Sequence, residues 1–305
     1  MYRHLSSTEK VIEHQHLEQI LSVYPDLEIN SKHFNTDGYA NDVITINDKT
    51  IFRFPKYAWA LDDMFLEADC LKVARLHTSM RLPSWTIHED KFISYQRIQG
   101  SAMHRWHLKK EDPSVIARAA QDLGEFLHEL HSIPSKELKS QKIHHSPVSH
   151  SYDDWLKMYD DIKQELFPIM SSSTQDWVET LFRTIIADNT LMDFTPKLIV
   201  GELTSSHIIF DYEKKSISGI IDFRTSGLAD PAFDIAYIFE QYGESFVEML
   251  QESYQGSKRL MKRARFIAET LPLQWALGGM RTGNPYWYLV DLGRERGFRS
   301  AYIKG

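Results

Sequence analysis

Within the stretch from Lys197 to Ala236, the chain gathers side chains able to handle protons, cations and phosphate: Glu202, His207, Asp222 and Arg224. A carboxylate at 202 can take a proton from a hydroxyl. Asp222 closes the apolar, β-branched run Ile217 to Ile221. A carboxylate there is costly to bury without a partner, which makes it the best metal-ligand candidate; its other reading is a turn residue or helix cap. The imidazole of His207 suits Mn²⁺ or Zn²⁺ better than Mg²⁺, which prefers oxygen. Arg224 adds a positive charge that either binds phosphate or opposes a metal.

The elements that must position these groups are legible around them. Leu198, Ile199 and Val200 form a buried run ending at Gly201-Glu202. Ile208-Ile209-Phe210 and Ile217 to Ile221 flank the charged turn Asp211 to Lys215, which predicts a tight hairpin. Glu202 and His207 then share one loop, and Asp222 lies at the far end of the hairpin, so all three can face one cleft. Asp230 caps and Pro231 opens a helix through Asp234 and Ala236.

This pattern resembles the catalytic core of the aminoglycoside phosphotransferase (kinase-like) family. The family reads H-G-D-x-x-x-x-N, a hairpin, I-D-F/W-G and a D-P-x-x-D helix. Here the order is Val200-Gly201-Glu202 to His207, then Ile221-Asp222-Phe223-Arg224, then Asp230-Pro231-Ala232-Phe233-Asp234. The resemblance implies an α+β, protein-kinase-like, two-lobed fold with a small N-terminal antiparallel sheet lobe and a larger, mostly helical C-terminal lobe. It implies transfer of the terminal phosphate of ATP or GTP to a small-molecule hydroxyl, aminoglycoside-like or sugar-like, with Mg²⁺ or alternatively Mn²⁺. Glu202 takes the place of the catalytic base, and Asp222 and His207 the places of the metal ligands. The departures are Val200, Glu202, His207 and Arg224. Glutamate for aspartate carries the carboxylate outward by about 1.5 Å on an unchanged backbone. These departures sustain a second reading, a catalytically weak or inactive kinase-fold protein that holds a nucleotide or metabolite.

Composition narrows the classes. The 305 residues suffice for two lobes, and 42% hydrophobic with 25% charged residues is ordinary for a soluble chain. A net charge of -7 disfavours nucleic acid and suits a cationic small molecule, although a mildly acidic surface more often serves solubility. The single Cys70 forms no internal disulfide, and no apolar run is long enough to span a bilayer. A cytoplasmic protein without a membrane partner is expected.

In chain order, Thr8 to Val23 predicts a helix capped by Ser6 or Ser7, with Val11, Ile12, Leu17, Ile20 and Leu21 inward. Strands are expected over Leu27 to Phe34, Asp42 to Ile46 and Thr50 to Phe54. The turn Asn35 to Tyr39 holds only Gly38 and reads as a hairpin turn more than as a phosphate loop. Arg53 points opposite Phe52 and Phe54 by strand alternation. The resemblance gives Arg53 the nucleotide phosphates, with Glu67 as its partner on a helix over Ala60 to Leu76 whose inward positions include Phe65, Ala68, Leu71 and Leu76. A solvated Glu67 is the alternative. A second hairpin, Trp85 to Ile87 and Lys91 to Tyr95, runs into a hinge at Gln96 to Gly100. By the resemblance, backbone groups from Tyr95 to Ile98 bind the nucleobase there. Strands dominate before Gly100 and helices after it, so lobes of residues 1–100 and 101–305 are expected.

Beyond the hinge, Ser114 to Ile133 is strongly amphipathic and ends in a segment similar to the family's L-G-x-F-L-x-x-L-H scaffold helix. His128 and His131 receive no chemistry. The histidines of Lys136 to Ser151 lack metal-site spacing and read as an exposed loop. Helices follow near Tyr152 to Pro168 and Thr174 to Leu191; the first carries Asp153, Asp154, Asp160, Asp161 and Glu165, a patch for a cationic substrate or a solvated face. The segment after Asp234 is expected to be helical, with Trp275, Tyr286, Trp287 and Tyr288 around an acceptor pocket.

Overall fold

The computed structural model describes residues 6–38, 40–89 and 91–283. Tyr39, Asp90, Tyr286, Trp287 and Tyr288 lie outside them. Helix α1 (Ser7–Val23) starts with Ser6 and Glu9 in a reciprocal capping box, the arrangement that satisfies two orphan amides at once. Then come β1 (Lys32–Asn35), β2 (Asn41–Ile46), β3 (Thr50–Pro55), α2 (Ala58–His77), β4 (Thr86–His88) and β5 (Phe92–Gln96). These five strands form one antiparallel sheet in the order β1-β2-β3-β5-β4. Alternation sends Ile44, Ile46, Phe52 and Phe54 to one face, where with Phe34 and Phe92 they pack under Ile20 of α1. The opposite face carries Ile51, Arg53 and Tyr95, joined through the β3–β5 register.

Three local expectations give way to burial. The segment before Lys32 is not strand, and β1 is correspondingly short. Val11 and Leu21 of α1 are exposed, because the helix rests on the sheet along Ile12, His16, Leu17 and Ile20. On α2 it is Ala60, Met64, Glu67, Leu71 and Ala74 that turn inward, while Phe65 and Leu76 face solvent. A charged residue thus sits on the buried stripe, which a purely apolar pattern cannot reveal.

After β6 (Ser101–Ala102) the chain is mainly helical: α3 (Arg105–Leu108), α4 (Pro113–His131), α5 (Ser135–Ser140), α6 (Tyr152–Glu165) and α7 (Ser172–Ala187). Next come β7 (Lys197–Ile199), β8 (Ile208–Asp211), β9 (Ser216–Ile220) and β10 (Gly227–Ala229), then α8 (Ala232–Tyr242), α9 (Glu244–Leu250) and α10 (Lys258–Thr282). The expected hairpin is β8–β9, with β6 on its outer edge, and β7 pairs with β10. These elements share one large core that also takes Cys70, Leu71, Val73 and Ala74 from α2. The fold is α+β: an N-terminal antiparallel sheet followed by a mostly helical remainder. Among the described residues, no helix is long and apolar enough to cross a membrane.

Candidate active site

The site starts from a buried brace. Asp234, on the first turn of α8 and fully buried, accepts the Val200 amide at 3.0 Å and the Gly201 amide at 2.8 Å. Its Oδ2 also meets His131 Nε2 at 3.1 Å, and His131 Nδ1 meets the Tyr254 hydroxyl at 3.0 Å. A carboxylate only accepts, so Nε2 carries the hydrogen and Nδ1 accepts from Tyr254. Three donors on one buried carboxylate hold the end of β7 in place. Gly201 turns there with φ 88°, and a Cβ would lie 2.4 Å from the Thr225 carbonyl, so this corner requires glycine.

From that corner the loop delivers Glu202 and His207, and the end of β9 delivers Asp222 and Arg224. His207 Nδ1 lies 2.8 Å from the Glu202 carbonyl and so donates to it, which turns Nε2 toward Asp222. Nε2 stands 3.5 Å from Asp222 Oδ2. When Nε2 is unprotonated, it and the carboxylate offer a cation two ligand atoms; a carboxylate plus phosphate oxygens is a usual set for Mg²⁺, while the imidazole suits Mn²⁺ better. Asp222 has φ 63°, an uncommon conformation for a residue with a Cβ. Burial works to raise its pKa, but His207, Arg53 and Arg224 together outweigh that and hold the carboxyl below its usual value. Glu202 shifts the other way: burial raises it, and His207 and Arg224 only partly counter. Arg224 reaches Glu202 Oε2 with one NH2 group at 3.4 Å, and its backbone amide meets Asp222 Oδ1 at 3.3 Å. Among the described residues, no group of three or more His, Cys, Asp and Glu side chains stands in metal-site geometry.

Arg53 and Glu67 form a bidentate pair at 3.3 and 3.2 Å, and Glu67 is 1% exposed, so the solvated alternative for Glu67 is excluded. Glu67 Oε1 also accepts the Phe223 amide at 2.9 Å, linking α2 to the residue after Asp222. Burial raises the Glu67 pKa against the pull of Arg53. Arg53 also lies over the Trp85 ring, 5.0 Å from its centroid. The Tyr95 side chain joins this group, its phenol pushed up to about 12 by burial. Tyr95 and Ile98 line a cavity of 360 Å³ with Ile51, Gly100, Ala102, Ile209 and Ile221. Its volume is within the range of ligand pockets, about 300–1,000 Å³.

The remaining candidates settle into structural roles. Asp154 caps α6 through Ser151, Asp160 pairs with Lys163, Asp161 with Lys157 and Arg281, and Glu165 with Arg281. Most of the acidic patch is therefore neutralised within the protein. Asp154, Lys157, Asp161 and Arg281 nevertheless line a 480 Å³ cavity with His150 and Gln274. The turn after β1 is held by Lys56, whose ammonium donates to the Thr36 and Gly38 carbonyls at 2.6 and 2.7 Å. In the sequence Asp234 stands out only as a helix position and His131 carries no chemistry; no spacing signals a contact between residues so far apart in the chain.

A cleft built this way, with a basic residue on a sheet, a carboxylate partner on the following helix and two loops of polar side chains below, is that of a kinase-like protein. The chain belongs to the phosphotransferase enzyme family, whose sequence model matches residues 33–267. It is 25% identical to viomycin phosphotransferase of Streptomyces vinaceus over 199 residues, covering 64% of this chain and 66% of that one, just under two thirds of the relative. It is 22% identical to the uncharacterized protein YcbJ of Bacillus subtilis (strain 168), covering 77% and 79%. Among solved structures, the GDP complex of wild-type aminoglycoside 2'-phosphotransferase-IIIa matches with a TM-score of 0.81 at 22% identity, covering 91% of this chain and 95% of that one. Macrolide 2'-phosphotransferase type I matches at 0.73 and 16% identity, covering 95% and 97%. At these identities the structural likeness shows the fold, a kinase-like α+β architecture.

Proposed function

We propose that this protein is a small-molecule kinase, moving the terminal phosphate of ATP or GTP to a hydroxyl of an aminoglycoside-like or sugar-like acceptor. The observation that carries this reading is the convergence of Glu202, His207 and Asp222 below the Arg53–Glu67 pair. In this reading the nucleobase enters the cavity at Tyr95 and Ile98, and Arg53 steadies the phosphates. Asp222 and His207 would hold Mg²⁺ or Mn²⁺, which neutralises phosphate charge when bound. Glu202 accepts the acceptor's hydroxyl proton, and its raised proton affinity favours that task. Residues 1–100 and 101–305 act as nucleotide-binding and acceptor-binding lobes. Named relatives acting on viomycin, aminoglycosides and macrolides support an acceptor of that general size. We assign the activity to the cytoplasm, where nucleoside triphosphates are available.

The decisive measurement is transfer of labelled phosphate from ATP and from GTP to an acceptor panel, with each metal, beside calorimetric nucleotide binding. Glu202→Ala is expected to slow transfer by about a hundredfold to ten-thousandfold while leaving nucleotide affinity in place. Nucleotide binding without any transfer would point instead to the binding-protein reading, which the Arg224–Glu202 pair favours by occupying the base.

A further inference from the structure

Arg224 stands where the family pattern has glycine, and its side chain remains 35% exposed to the cleft. Two other cations on β3 and just after it are already engaged. Arg53 gives both terminal nitrogens to Glu67, and Lys56 is spread over Asp42 and two carbonyls of the turn after β1. Arg224, by contrast, touches one oxygen of Glu202 through one nitrogen, at a distance long for a charged hydrogen bond. Its backbone amide is anchored on Asp222, so the guanidinium starts beside the metal-ligand candidate and ends beside the base candidate. Any phosphoryl group passing between those two carboxylates crosses the reach of this side chain.

Building on the phosphotransfer reading, we propose that Arg224 is a catalytic residue that binds the phosphoryl group in flight, an arginine finger supplied by the chain itself. The acceptor oxygen attacks the terminal phosphorus, and its proton passes to Glu202. The bond from that phosphorus to the bridging oxygen breaks, and the nucleoside diphosphate leaves with the electron pair. During this passage the guanidinium exchanges Glu202 Oε2 for the equatorial phosphoryl oxygens, where negative charge spreads. Releasing Glu202 also frees the carboxylate to take the proton. One side chain therefore couples arrival of the phosphoryl group to availability of the base. A small residue at this position would leave the phosphoryl oxygens without this contact.

The test compares wild type, Arg224→Lys and Arg224→Met for binding of ADP and GDP with Mg²⁺ or Mn²⁺, with and without aluminium fluoride. The fluoride complex imitates the planar phosphoryl group. Wild type is expected to hold the diphosphate at least about a hundredfold tighter with aluminium fluoride than without. Arg224→Met should lose that enhancement while keeping the affinity for the diphosphate alone, and Arg224→Lys should keep part of it. Equal enhancement in wild type and Arg224→Met overturns the role of Arg224 and leaves the phosphotransfer reading standing. Loss of plain diphosphate binding in Arg224→Met also overturns it, since the residue would then serve ground-state binding. A wild type that binds neither nucleotide overturns the phosphotransfer reading itself.

Discussion

Arg53 and Glu67 show how a residue can be assigned to a ligand and still be committed to the fold. The pair is 12% and 1% exposed, and Glu67 holds the Phe223 amide as well. Arg53→Met therefore cannot be read as simple loss of a phosphate contact. Removing one partner of a buried pair costs about 3–5 kcal/mol, because the other charge is left uncompensated. We expect Arg53→Met to lower the urea midpoint strongly, and Arg53→Met with Glu67→Gln to recover most of the loss, since glutamine still offers an oxygen to Phe223. Two single variants whose effects simply add would dissolve the coupling. Much of this residue level was legible in the chain: period-two alternation on β3 sets Arg53 against Phe52 and Phe54, and the motif around Asp222 singles out that carboxylate. What alternation cannot convey is engagement. The family resemblance pairs Glu67 with Arg53, but the bidentate contact and its burial depend on how α2 is rotated against the sheet.

At the scale of elements, the loop bearing Glu202 is only as well placed as the end of β7, and that end hangs on Asp234. Asp234→Asn would replace one accepting oxygen by an amide nitrogen facing the donors of Gly201, Val200 or His131. A loss of about 3 kcal/mol is expected, the scale of a broken charge-assisted buried bond. Hydrogen exchange at the Val200 and Gly201 amides should accelerate more than exchange in α4. Unchanged protection at both amides would refute the brace. The hairpin β8–β9, the scaffold helix α4 and the start of α8 all follow from local patterns of apolar residues, turn formers and caps. The outward turn of Phe65 and Leu76 on α2 does not. Which stripe of a helix is buried is decided by what it packs on, and here the large core claims Cys70, Leu71, Val73 and Ala74 while the cleft claims Glu67.

For the whole molecule, there are two hydrophobic clusters among the described residues, the smaller under α1 and the larger among the later helices and strands, with part of α2. The larger cluster reaches back to Cys70, Leu71, Val73 and Ala74, so it does not follow the change from strands to helices along the chain. The division also gives α1 a significance that a list of motifs omits. The span matched by the family model begins at residue 33 and stops at residue 267. Yet Ile20 of α1 is completely buried against the sheet, His16 stacks on Phe54 with ring centroids 3.9 Å apart, and α10 continues to Thr282 with Leu271, Leu273 and Ala276 in the larger core. The span matched by the family model and the unit that folds are thus different objects. A chain cut to residues 33–267 would strip the roof from one core and a wall from the other. It is expected to bind a hydrophobic dye and to melt without a sharp transition, whereas the full chain melts cooperatively. A sharp melt of the trimmed chain at the same temperature would show that α1 and the end of α10 are ornaments. If they are not, boundaries drawn from sequence kinship alone will mislead anyone dissecting or grafting this protein.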